Sequence, residues 1–414
     1  MADDAREPVT REREDRDYDS GITEVDLAEL TAEEVEEDEQ DIEQRGAALL
    51  RDRRRLFSLV AAAILMIVAI YVILPKVVGL ENALEKLETA TWYWIVAGLG
   101  CMALAFIAYA TLFRGVLAGR DADDPVHKRL DTPATYQITM SGFVATILFS
   151  AAGAGGVALT YWALRKAGME RRRAACRMVA FMVLLYSMYA YALIVFGVLL
   201  RTGVLPGDNP VGGTIVPAAI ALVLLLLAAL LALVPQDAER RIRKLGRRGA
   251  RWARFAASIA KVPATLATGV RTAIAYLRHP KRQAAALLGA IGWWAGLIGV
   301  LWCSFQAVGV SVPFGVLVQG YFVGMVANLA PSPAGGVGTV DAGLIGAFVL
   351  FGMPAETVFP AILLFRLMSV WLPIPVGVAA YIQLRKTVHH WDEENAGVAA
   401  PSGGYALGQP GARA

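Results

Sequence analysis

At 414 residues, 56% of them hydrophobic and 18% charged, with a mean hydropathy of +0.50, the chain is too apolar for a soluble protein and reads as a polytopic membrane protein. The net charge of +3 hides a segregation, because residues 1–45 are strongly acidic and the later polar stretches are basic. The three cysteines, Cys101, Cys176 and Cys303, lie in or beside apolar segments at no metal-ligand spacing and read as small core residues.

Residues 1–50 read as an acidic, disordered cytoplasmic tail, since a stretch so rich in Asp and Glu and so poor in aromatics buries too little surface to fold alone. Thr31 and Glu34 have the spacing of a capping box, which suits 31–44 to helix formation on a partner. The start has no signal-peptide pattern, and Arg51, Arg53, Arg54 and Arg55 mark a cytoplasmic flank before the first span, 56–74. Leu80, Leu84 and Leu87 then recur at helical spacing in an interfacial piece, 80–91. The second span, 92–113, opens on an aromatic belt of Trp92, Tyr93 and Trp94, and Arg114, Arg120, Lys128 and Arg129 return the chain inside.

The next apolar stretch, 136–164, has basic flanks on both sides and AAGAGG at its middle, with Gly153, Gly155 and Gly156. It is expected to enter and leave on the cytoplasmic side as a re-entrant hairpin. Spans follow at 174–200, 214–234 and 283–308, with a basic cytoplasmic segment at 236–282, and 358–384 returns to Arg385 and Lys386 before a second disordered tail, 387–414. Only Lys76, Lys86 and Arg201 among the loop bases fall outside on this topology.

Between the last two spans lies 327–346, ANLAPSPAGGVGTVDAGLIG. Pro331, Ser332, Pro333, Gly335, Gly336 and Gly338 break a segment that would need about 20 unbroken apolar residues to cross a bilayer. Irregular backbone at that depth is tolerated only inside protein or along a wet cavity, so two half-helices joined by a turn are expected. Placing Gly155 and Gly156 over Gly335 and Gly336 superposes span, hairpin and span in 92–200 and 283–384, entered from opposite sides. The expected fold is an all-α integral membrane domain, 51–386, with six spanning helices and two re-entrant helical hairpins in an inverted repeat. Such repeats place substrates near the midplane.

Asp341 and Arg366 fall inside the membrane on this topology, where a charge costs roughly 2.5–3.5 kcal/mol and is a functional hypothesis by default. Three readings stay open: Arg366 on a lipid phosphate with Asp341 positioning it or exchanging a proton, a structural ion pair, or an Arg366 that snorkels. Helix starts after Gly336 and Gly156 would offer free N–H groups to a phosphate, against the alternative of close helix packing. Asn328 and Ser332 are placed to satisfy backbone freed at the break, and Gln319, Tyr161 and Arg165 are weaker candidates. The basic stretch 239–282, interleaved with Ile242, Leu245, Trp252 and Phe255, suits anionic lipid headgroups better than nucleic acid, and the acidic tail is its complement in charge. His127, His279, His389 and His390 lie in loops or the tail, and with no nucleotide-binding loop or HExxH, neither cofactor, metal nor catalysis is expected.

APSPAGGVGTVDAGL, the GMP of 352–354 and LLFRLMSVWLPIPVG together resemble the transmembrane domain of the lysylphosphatidylglycerol synthase/flippase family, over roughly 56–386. The basic flanks place both termini in the cytoplasm, and the resemblance implies a flippase-like protein of the plasma membrane that moves a lipid with an anionic or polar headgroup, a phospholipid or glycolipid, between leaflets. Asp341 stands where such proteins usually carry Glu, and AAGAGGVALTYW lacks the prolines and charge expected in the first hairpin. With 28 residues after Lys386, an aminoacyltransferase domain is not expected. Two alternatives stand beside this: a non-catalytic membrane partner presenting lipid to a lipid-modifying enzyme or glycosyltransferase, and an ion-coupled transporter of a small solute. Nothing in the sequence sets an oligomeric state.

Overall fold

The computed structural model describes residues 90–119, 124–148, 154–232, 269–274, 278, 280–329, 336 and 338–399. The first span, the acidic tail and most of the basic segment 239–282 lie outside the described residues. Among those described, all regular structure is helical: α1 (Trp92–Phe113, prolonged by a π turn, Arg114–Ala118), α2 (Pro125–Arg129), α3 (Thr132–Leu148), α4 (Ala154–Lys166), α5 (Arg171–Arg201), α6 (Ile215–Ala232), α7 (Pro280–Ala307), α8 (Phe314–Met325, then 3-10 at Val326–Leu329), α9 (Thr339–Leu350), α10 (Ala355–Arg366, then a π turn, Leu367–Trp371) and α11 (Pro373–Ala399).

Among the described residues, four helical stretches are long and apolar enough to cross a bilayer: Trp92–Ala118, Arg171–Arg201, Gln283–Ala307 and Ala355–Glu394. They coincide with four expected spans. The expected span 214–234 overlaps α6, an apolar helix that is not among these four, with Leu222, Leu224, Leu226, Leu227 and Leu230 exposed. Helices α3 with α4, and α8 with α9, are short and pack in pairs.

Small residues set the central contact. α1 and α7 pack in opposite directions: Gly299 faces Cys101, Gly296 faces Ala105, Gly289 faces Ala108 and Leu112, and Gly115 faces Ala286. A Cβ at Gly289 would lie 2.6 Å from the Ala108 carbonyl oxygen, so backbone touches backbone here. In lipid, where water does not drive helices together, such approach is a main source of association.

Two further contacts cross between the halves. α3 runs against α11, with Met140 and Val144 at Gly377, and with Thr387 Oγ1 donating to Gln137 Oε1 at 2.8 Å. α8 runs against α5, with Gly315 at Leu200, Gln319 at Gly197, and the Tyr189 hydroxyl donating to the Phe322 carbonyl. Exchanging the halves exchanges these two contacts and maps the α1–α7 contact onto itself.

The two ends of the bundle differ in charge. At one, Thr91 N donates to Ala307 O at 2.9 Å and Gly213 abuts Phe351, with Arg201 the one Lys or Arg among the described residues there. At the other, Arg173 pairs with Asp124 at 2.5 Å, Lys166 with Asp392 at 3.2 Å and Arg129 with Glu394 at 3.0 Å.

One boundary needs correction. Residues past Lys386, read as a disordered tail, are helical as far as Ala399, because Trp391 is buried against the α2–α3 end and the acids Asp392 and Glu394 find bases on α4 and α2. The stretch 269–274 is helical too, with Val270 and Ala273 buried and Gly269 against Val179, so this end of the basic segment packs on protein.

Candidate functional site

The chain ahead of α9 departs from helix at Gly336 and Gly338, with φ of 84° and 85°, a left-handed backbone that only glycine adopts freely. Pro331, Ser332, Pro333 and Gly335 lie outside the described residues, as does Gly153 in the first apolar pair. After this break α9 begins at Thr339, and its third residue is Asp341. The Gly338 N–H donates to Asp341 Oδ2 at 2.9 Å, so the carboxylate caps its own helix and sits at the positive end of the dipole.

Arg366 meets it. The last residue of α10, Arg366 places Nε 2.8 Å from Asp341 Oδ1, a close charge contact without hydrogen-bond alignment. Both residues are buried, at 4% and 7% exposure. Counting roughly 1.5 Å per residue from the adjoining ends Leu350 and Ala355, Asp341 lies about 14 Å along α9 and Arg366 about 17 Å along α10. That is close to half of a hydrocarbon core of roughly 30 Å.

Two residues that sequence reasoning did not single out complete the site. Tyr321 on α8 is fully buried within electrostatic reach of Arg366, and Ser369 follows Arg366 by three positions in the π turn. Among the described residues, neither the Tyr321 hydroxyl nor the Ser369 hydroxyl has a hydrogen-bond partner. An unpaired buried hydroxyl is costly, so two beside one ion pair signal a missing polar partner. Spacing from Arg366 could have found Ser369; Tyr321 sits in the charge-free LVQGYFVG and carried no such signal. Around Tyr321 lie Trp294, Phe322 and Phe365, and Met368 is buried against Gly98 of α1.

The remaining candidates separate from this group. Asn328 lies beside the break, its Oδ1 3.4 Å from where a Cβ on Gly336 would stand. Gly156 packs against α3, since a Cβ there would lie 2.6 Å from the Gly142 carbonyl oxygen, and Gly155 adjoins it; close helix approach accounts for Gly156. Gln319 Nε2 donates to Gly213 O at 2.9 Å, which ties α8 to the α5–α6 loop. Arg165 Nη1 donates to Met169 O at 2.6 Å, and Tyr161 is half-buried on the same helix, α4.

Residues 56–377 match the lysylphosphatidylglycerol synthase TM region. The chain belongs to this family. The matched region holds the break, Asp341, Arg366, Tyr321 and Ser369. The chain is also similar to a UPF0104 membrane protein of Methanothermobacter thermautotrophicus, 34% identical over 97 residues, a match covering 23% of this chain and 28% of that protein. Membership of the lysylphosphatidylglycerol synthase TM family makes this a membrane protein, consistent with a lipid-related role.

Proposed function

We propose that the protein is a non-enzymatic lipid translocase of the plasma membrane, moving a lipid with an anionic or polar headgroup between leaflets through the region of the broken helix. The observation that carries this is the buried Asp341–Arg366 pair at a helix break, beside two hydroxyls without partners among the described residues. In this reading Arg366 is the headgroup ligand. Asp341, already engaged by the Gly338 N–H, positions the guanidinium, and the Tyr321 and Ser369 hydroxyls complete a polar lining that a headgroup would satisfy.

The contact pattern that survives exchange of the two halves supports an inverted repeat, with α3–α4 and α8–α9 as the hairpins. The basic end supports a cytoplasmic assignment for the α2, α4 and α11 end. Because the pair is buried, the site is closed in this conformation, and transfer requires α9 to part from α10.

A photoreactive phospholipid in proteoliposomes tests occupancy. Crosslinks mapping to α8, α9 or the Leu367–Trp371 turn, reduced in Arg366→Ala, support the reading. Crosslinks confined to the lipid-facing leucines of α6 contradict it.

A further inference from the structure

Cys101 and Cys303 are far apart in sequence, on α1 and α7, and the opposed packing of these helices brings them together. Gly299 and Gly98 make the approach possible: a Cβ at Gly299 would stand 3.1 Å from Cys101 Sγ, and one at Gly98 would stand 3.4 Å from Cys303 Cβ. Cys303 follows Gly299 by four residues and Cys101 follows Gly98 by three, so each thiol lies over the glycine of the facing helix, one turn from its counterpart. Both thiols are free. A disulfide needs Cβ atoms about 3.5–4.5 Å apart and Cα atoms within about 7 Å, and the glycines at 98 and 299 let the two helices approach closely at this level.

We propose that Cys101 and Cys303 form an intramembrane redox site, oxidised to a disulfide by a lipid-soluble quinone. Two S–H bonds break and one S–S bond forms; two electrons and two protons pass to the quinone, which leaves as the hydroquinone. Cys303 is 1% exposed and Cys101 partly exposed on an apolar helix, so Cys101 offers the side from which an oxidant dissolved in the bilayer arrives. Glutathione disulfide, charged and confined to water, does not reach it. The bond would staple α1 to α7, the opening helices of the two halves, and fix the seam on which both are built. Cys176, near the basic end of α5, takes no part.

The full-length reduced protein in phospholipid vesicles is treated with a fully ring-substituted quinone, which has no ring position open to thiol addition. In parallel, copper–phenanthroline in air supplies a second bilayer-permeant oxidant. Free thiols are then alkylated and peptides analysed by mass. The expected product is one linked pair of peptides carrying Cys101 and Cys303, lighter by two hydrogens than the sum of the reduced peptides and released by a phosphine. Cys303→Ser and Cys101→Ser abolish it, Cys176→Ser leaves it, and glutathione disulfide does not produce it. If both thiols remain alkylated after both oxidants, or if the link joins Cys176 instead, the proposal is overturned.

Discussion

Arg366, the last residue of α10, and Asp341, the third residue of α9, hold their charges 2.8 Å apart in the interior of the bundle. Removing one member of such a pair strands the other, at a cost of roughly 3–5 kcal/mol in buried settings. Arg366→Ala and Asp341→Asn should each lower the thermal midpoint in detergent, and the double variant should recover part of the loss. A double variant as unstable as the sum of the two singles would show that the charges do not stabilise one another.

The α1–α7 seam predicts a sharp contrast between glycines. Gly289→Leu drives a side chain into the backbone of Ala108 and Leu112 and should destabilise by more than the roughly 1–3 kcal/mol of ordinary overpacking. Gly346→Ala, on α9 with nothing within 4 Å, should be neutral or gain up to about 1 kcal/mol. Thermal unfolding monitored by light scattering distinguishes the two.

The end of α11 offers a third prediction. Trp391→Ala empties a buried site and should cost about 3–5 kcal/mol. His389→Ala, at a side chain 76% exposed, should fall within about 0.5 kcal/mol of the parent protein. Equal effects would mean that the segment past Lys386 is not docked.

Asp124 provides a pH test outside the membrane. Burial raises its carboxyl pKa, but the Val126 N–H and the Arg173 guanidinium outweigh that and hold it below the ordinary value. A folded-state pKa that is depressed contributes stability above the unfolded value, near 3.9, and loses it as pH falls through the folded value. Asp124→Asn keeps the helix cap and removes the charge. It should be less stable than the parent at pH 7, with the difference closing below about pH 4.

Much of the fold was legible because bilayer crossing imposes length and hydropathy, and four expected spans coincide with long helices. The break before α9 was legible from Gly336 and Gly338, whose positive φ angles do in the structure what glycine does best. Asp341 and Arg366 announced themselves as charges in apolar sequence. Tyr321 and the Cys101–Cys303 contact did not, because each depends on which helix faces which, and one chain's hydropathy carries no such information. The α11 extension was missed for a related reason: its charges looked like a solvated tail until their partners Arg129 and Lys166 were in place.

The most direct measurement is headgroup accessibility of a fluorescent phospholipid in vesicles containing the purified protein, read by an impermeant quencher added outside. The account predicts that the wild type renders inner-leaflet lipid accessible, and that Arg366→Ala slows this at least tenfold while Ser369→Ala slows it less. Wild-type vesicles in which half of the lipid stays protected as in protein-free vesicles would contradict it.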